Sequence, residues 1–442
     1  MLMKRFTSCR NISNCRSLLA VACLGASLTA SAQEINILEN LTDAEGTMYI
    51  PISQAISSNY KYVAGPAMNI MEGSYGMFVM DLESGNYVVE PAVDYYGADI
   101  RAVTDDGVAI GYNGPGLTFA IDGTTKELTT PNPGTTYGRD VTDDGKLIVG
   151  CYTDETGYNS HACIWKDGEY EPLPEPTDEE AGLEVNGTSA YYVSGDGSII
   201  VGYVVDNFST NPVVLWRLQD DGSYKLDLLY KDYFQSSPED SEHQYWLFAP
   251  SGISRNGKYL ALNVGRIDTE ERMARYNLET GELEEFIADG NGDIPAGNTT
   301  TSSAIADDGT IVGWMLTGEW MMQVRSGAIW RNGETQVDLL ANLYPEIPEI
   351  AGYDAVGFTT VCDITPNGKY LTGFAMNENY YYESFVINLS DDPTGINEVA
   401  NATDDAAETA RYTIDGKRIT APVKGLNIIK KADGSVVKVM VK

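Results

Sequence analysis

One unit recurs seven times along this chain, and that repetition limits its possible folds more than any other property of the sequence. The unit is a β-prone pair, Ser or Thr, a polar turn ending in Gly, and a hydrophobic strand ending in Val-Gly. A variable stretch follows, then a strand that often carries Trp. The clearest copies are Val141-Thr142-Asp143-Asp144-Gly145-Lys146-Leu147-Ile148-Val149-Gly150 and Ile305-Ala306-Asp307-Asp308-Gly309-Thr310-Ile311-Val312-Gly313. Others centre on Asp105-Asp106-Gly107, Asp196-Gly197, Asn256-Gly257 and Asn367-Gly368, and a degenerate first copy runs Ile56-Ser57-Ser58-Asn59-Tyr60 into Tyr62-Val63-Ala64-Gly65. Asn-Gly and Asp-Gly supply the positive φ that tight hairpin turns need.

A second turn, as at Ser84-Gly85, Asp167-Gly168 or Asn332-Gly333, leads to a fourth strand, so each copy reads as a four-stranded meander. Such a sheet cannot bury both faces alone, and stacking copies around an axis solves this. The expected fold is all-β: a seven-bladed β-propeller over residues 33–392, a linker at 393–410 and a small C-terminal β-module at 411–442. The seventh copy has no fourth strand, and Ile35-Asn36-Ile37-Leu38 can supply it and close the ring. The Asp-Asp-Gly…Val-Gly…Trp pattern resembles the HAF-type repeats of extracellular proteins, and that resemblance implies fold rather than activity.

The two ends carry an address. Lys4, Arg5, Arg10 and Arg16 precede a short apolar stretch, Ser17 to Ala30, and Ala30-Ser31-Ala32 gives a cleavage pattern, so residues 1–32 read as a signal peptide with Gln33 as the mature N-terminus. A rival reading takes Leu19-Ala20-Val21-Ala22-Cys23 as a lipoprotein box with Cys23 lipidated. No transmembrane segment is expected, because no stretch reaches about 18 apolar residues. Residues 33–409 hold 17 basic and 62 acidic residues, whereas 410–442 hold eight basic and two acidic. The tail resembles the C-terminal sorting domain of proteins exported by the Bacteroidota type IX secretion system, through Tyr412-Thr413-Ile414-Asp415-Gly416-Lys417-Arg418-Ile419, Lys424-Gly425-Leu426-Asn427-Ile428-Ile429-Lys430 and Asp433-Gly434-Ser435-Val436-Val437-Lys438-Val439-Met440-Val441-Lys442. The resemblance implies passage across the outer membrane with the secretion machinery as partner, and a secreted or outer-membrane cell-surface location.

The acidity of the body excludes a nucleic-acid binder, since phosphates would meet a like-charged surface. With one sequence, positions that recur among the copies are architecture, and positions that depart are where function can lie. On that test Trp165, Trp216 and Trp330 are core residues, and Tyr112, Tyr203, Trp314 and Phe374 pack between blades. The variable loops (174–190, 230–250, 288–303, 314–326 and 341–358) share one rim, where binding is expected. Their candidate ligand-binding residues are Trp320, Glu319, His243, Tyr245, Trp246, Tyr380 and Tyr381, with Tyr191-Tyr192 and Tyr233 nearby. Aromatic faces beside carboxylates suit sugar rings and protein contacts alike, and also suit the pinning of loops to the body.

Asp289, Asn291 and Asp293 alternate oxygen ligands as calcium loops do, without a bidentate Glu at EF-hand spacing; otherwise no cofactor is expected. Cys151 and Cys163 lie on adjoining strands, as a disulfide or as small buried hydrophobes. His161 and His243 are too few for a zinc cluster, and no Gly-x-Ser-x-Gly elbow or phosphate loop occurs. The leading expectation is a non-enzymatic, surface-associated propeller that binds a glycan or protein through its loop-rich rim. The alternatives are a polysaccharide-active enzyme with axial carboxylates or His243 near the axis, and a structural surface protein.

Overall fold

A computed structural model describes residues 35–93, 97–132, 134–206, 211–234, 245–266, 271–286, 299–318, 324–353 and 356–389, and in the tail 408–413, 417–419, 421, 425–431 and 436–441. The body is a ring of seven antiparallel sheets, each packed on the next, with the seventh against the first. The expected propeller is what the chain forms. Blade 2 is representative, running outward through Ala98–Val103, Val108–Asn113, Gly116–Ala120 and Thr125–Glu127. Blade 1 departs from the pattern: a short hairpin, Leu41–Thr42 with Met48–Pro51, extends it to six strands.

The ring closes as expected. Ile35–Ile37 pairs antiparallel with Tyr382–Asn388, placing Ile35 opposite Ile387 and Ile37 opposite Phe385, so the first strand becomes the outer strand of the last blade. The tail forms its own antiparallel sheet from Glu408–Thr413, Arg418–Ile419, Gly425–Lys431 and Val436–Val441. Among the described residues no helix is long and apolar enough to cross a membrane.

The Ser/Thr-x-Asp/Asn-Gly signature has a hydrogen-bonding cause. Ser57, Thr142, Ser194, Ser254 and Thr365 each donate a hydroxyl proton to the Asn or Asp two residues on, at 2.7–2.8 Å. Each also accepts the main-chain N–H five residues on, at 2.9–3.1 Å, which sets the start of the second strand. The turn ends in a left-handed residue, for which glycine is suited: Gly145 has φ 73°. In the degenerate first copy Tyr60 takes that conformation and stacks on Tyr370 with ring centroids 3.9 Å apart.

These turns also couple the blades. Asp105 Oδ1 accepts the Asn59 N–H at 2.8 Å, and Asp307 Oδ1 accepts that of Asn256 at 2.8 Å. The three repeat tryptophans are buried as expected. Their indole N–H groups are satisfied by Thr129, Pro174 and Glu334 carbonyls at 2.7–2.8 Å, so each anchors a connection as well as filling a core. All three cysteines of the body are unbridged. Cys163 stands opposite Gly150, one position from Cys151, so strand alternation sends the two thiols to opposite faces.

Candidate functional site: a belt of bulged residues around the axis

Six of the seven inner strands break their pairing at the same place. In Ala98–Val103, Thr135–Val141, Thr188–Val193, Leu247–Ile253, Thr300–Ile305 and Thr359–Ile364, one residue has no partner on the second strand: Arg101, Arg139, Tyr191, Ser251, Ser303 and Cys362 respectively. These are β-bulges, which re-aim a side chain. The bulge explains the recurring Val-Gly. A Cβ on Gly202 would lie 2.0 Å from the Ser189 carbonyl oxygen, and one on Gly111, Gly150, Gly313 or Gly373 would meet an inner-strand carbonyl oxygen at 2.0–2.2 Å.

All six bulged residues, with Gln54 of blade 1, line a cavity of about 490 Å³ around the axis. The sequence shows this belt once its register is known: each member stands three residues before the Ser, Thr or Ala of the repeat. It is the chemically variable column within the most regular part of the unit. Four of the nine arginines between residues 35 and 389 line the cavity (Arg101, Arg139, Arg255 and Arg325), and none of the eight lysines does.

Toward the turn-bearing rim the charges are already engaged. Arg255 donates from Nε to Asp143 Oδ1 at 2.9 Å, places Nη1 3.4 Å from Asp140 Oδ1, and donates from Nη2 to the Val141 carbonyl at 2.6 Å. Asp140 and Asp363 hold the same repeat position, immediately after the bulge. Each accepts its successor's N–H and one from the following blade: Val141 and Val193 at 2.7 and 2.9 Å for Asp140, Ile364 and Ile56 at 2.8 and 2.9 Å for Asp363. Burial pushes both carboxyls up, Asp363 to about 7 with Asp140 adding to the effect. Their oxygens are occupied by main chain, so this pair acts as an inter-blade lock, in Asp363 across the ring closure. Burial likewise raises the Cys362 thiol to about 12, which leaves it a thiol rather than a thiolate nucleophile at neutral pH.

Toward the loop rim the balance is cationic. Asp99 accepts from Arg101 Nε at 2.8 Å and Arg139 Nη1 at 3.3 Å, one carboxylate for two guanidinium groups. Arg139 lies over the Tyr191 and Tyr137 rings at 4.6 and 5.3 Å. Arg325 lies over Trp314 at 4.1 Å and Phe358 at 4.6 Å, donates from Nη2 to Thr360 Oγ1 at 3.2 Å, and has no carboxylate partner among the described residues. Serines line the wall between these groups, with Ser251 and Ser302 hydroxyls 2.5 Å apart.

The loop rim also carries most of the exposed apolar surface. Met48, Met71, Val93, Tyr158, Trp246, Val324, Tyr380 and Tyr381 lie there, against Tyr60, Tyr87 and Leu218 toward the turns. Of the residues expected to bind ligand, Trp246, Tyr380 and Tyr381 are thus exposed on the expected rim. Tyr380 and Tyr381 sit in the hairpin between Tyr370–Met376 and Tyr382–Asn388. Tyr245 does not join them: it is buried, donating its hydroxyl to Glu285 with Arg266 Nη2 3.2 Å from its oxygen. Tyr233 is packed against Phe248, while Tyr191 and Tyr192 line the axial cavity. His243, Glu319, Trp320 and the candidate calcium residues Asp289, Asn291 and Asp293 lie outside the described residues. Among the described residues no group of three His, Cys, Asp or Glu side chains is arranged to hold a metal. His161 stacks on Tyr152 and lies 3.2 Å from Glu175, away from the cavity lining.

No protein-family model matches this chain, and no curated protein sequence matches it. Solved structures do. A puromycin hydrolase aligns at 13% identity over 88% of this chain and 57% of its own, with a TM-score of 0.50. An oligogalacturonate lyase from Vibrio parahaemolyticus aligns at 12% identity over 80% and 98%, with a TM-score of 0.49. The β-propeller domain of the trilobed protease from Pyrococcus furiosus aligns at 12% over 82% and 98%, with a TM-score of 0.42. At these identities the likeness is one of fold, and activity has to be argued from the site.

Proposed function

We propose that the mature chain is an exported, surface-associated propeller that binds a glycan at the loop-side mouth of its axial cavity without cleaving it. The observation that carries this reading is the bulge belt. Six copies build the same strand break, yet present Arg101, Arg139, Tyr191, Ser251, Ser303 and Cys362, with Gln54 of the unbulged first copy, to one cavity. The cavity is of ligand-pocket size, and its hydroxyls and guanidinium groups match sugar hydroxyls and charged substituents. The exposed aromatics Trp246, Tyr380 and Tyr381 extend that surface over the rim. The carboxylates at the axis favour binding over hydrolysis, because the oxygens of Asp140 and Asp363 are held by main-chain N–H groups. Export and surface retention rest on the signal-like N-terminus and the basic tail.

Incubating the chain from Gln33 with a mixed glycan panel, capturing it and weighing the recovered glycans tests the reading. Selective enrichment of intact glycans is expected. Shortened glycans in the mixture would overturn it in favour of a polysaccharide-active enzyme.

A further inference from the structure

Among the described residues, Arg325 is the one cavity arginine whose charge meets no carboxylate. Arg255 meets Asp140 and Asp143, and Arg101 and Arg139 share Asp99. Among the described residues Arg325 has no ion pair, its Nε is buried without a hydrogen-bond acceptor, and its one side-chain bond is to the Thr360 hydroxyl. A guanidinium drawn out of water without a counter-charge is costly, and the Trp314 and Phe358 faces offset only part of that cost. Burial correspondingly lowers the Arg325 pKa to about 10, which still leaves it fully charged at neutral pH. The groups that act on it are Cys362, Tyr382 and Thr360, with no lysine or carboxylate among them.

We propose that Arg325 is the anchor for a carboxylate borne by the glycan, so that the ligand is an acidic sugar whose uronate end enters the axial cavity from the loop rim. Nη1, neither buried nor hydrogen-bonded among the described residues, leaves the Nη edge of the guanidinium open, and its parallel donors match the two oxygens of a carboxylate. Arg101 and Arg139, with one carboxylate between them, add favourable charge beyond this anchor. The hydroxyl-rich wall favours a sugar over an apolar peptide side chain. The inference rests on the glycan-binding reading above and names its ligand class.

The test is calorimetric titration with a uronic-acid trisaccharide, with the same trisaccharide after reduction of its carboxyls to neutral alcohols, and with an acidic tetrapeptide. The wild-type chain is expected to bind the acidic sugar about 10- to 100-fold more tightly than the reduced one, the range for a charge-assisted hydrogen bond. Arg325→Met is expected to erase that preference by weakening the acidic sugar more than the reduced one, and Arg325→Lys to retain part of it. The wild-type preference needs no variant, so it stands as a test even where Arg325→Met fails to fold, which thermal unfolding reports. Equal affinity for the two sugars, unchanged in Arg325→Met, would overturn the carboxylate anchor and leave glycan binding standing. Binding of the tetrapeptide alone, or of none of the three, would overturn both.

Discussion

A chain that starts at Glu39 is expected to unfold at a markedly lower urea concentration than the chain from Gln33, and to self-associate. The missing residues are the outer strand of blade 7. Leu38 is buried, and Ile35 and Ile37 are half-buried against the core that holds Leu371, Phe385 and Ile387. Full burial of one such side chain contributes about 1.5–3 kcal/mol, so the strand with its partial burial contributes about 3–6 kcal/mol. A domain's whole stability is about 5–15 kcal/mol, so this one strand decides a large share of it. Its loss also exposes the Tyr382–Asn388 edge, a template for pairing with another chain. Urea unfolding followed by circular dichroism, with light scattering for association, checks this; an unchanged midpoint would show that the ring does not depend on its N-terminal strand.

Trp216→Ala is expected to cost about 3–5 kcal/mol, the range for emptying a buried aromatic site. Trp216 has no exposed surface, and its indole N–H donates to the Pro174 carbonyl at 2.8 Å across the connection between blades 3 and 4. The substitution therefore leaves a cavity and an orphaned carbonyl together. Trp246→Ala is the control: that ring is 43% exposed, and its loss is expected to change stability by no more than about 0.5 kcal/mol. Urea midpoints of the two variants separate the roles; similar midpoints would mean that Trp216 is no keystone of its blade.

The blade plan was legible because its signals are local. Ser/Thr-x-Asp/Asn-Gly sets a turn by hydrogen bonds within six residues, and the missing outer strand of blade 7 could be matched to Ile35–Ile37 by counting strands. The blade 1 hairpin at residues 41–51 was not legible, because Tyr60 stands where other copies carry glycine and no repeat precedes it. The site was only partly legible. Trp246, Tyr380 and Tyr381 lie on the expected rim, whereas Tyr245 carries its polar hydroxyl inside, an arrangement set by Glu285 and Arg266 forty and twenty-one residues away. The axial belt escaped because a bulge breaks the two-residue alternation by which inward positions are counted. Its trace was nevertheless present: Val-Gly in copy after copy marks a carbonyl pressed against the second strand, and the column three residues before the Ser or Thr varies from Arg to Cys.

Arginine-selective dicarbonyl labelling read by mass spectrometry reports directly where the ligand sits. Arg101 and Arg217 are comparably accessible, at 49% and 38% of side-chain surface, the first in the cavity belt and the second paired with Asp227 on the outer part of blade 4. With a saturating glycan from the panel, labelling of Arg101 is predicted to fall severalfold while that of Arg217 stays constant. Undiminished labelling of Arg101 in the bound state would contradict the axial site.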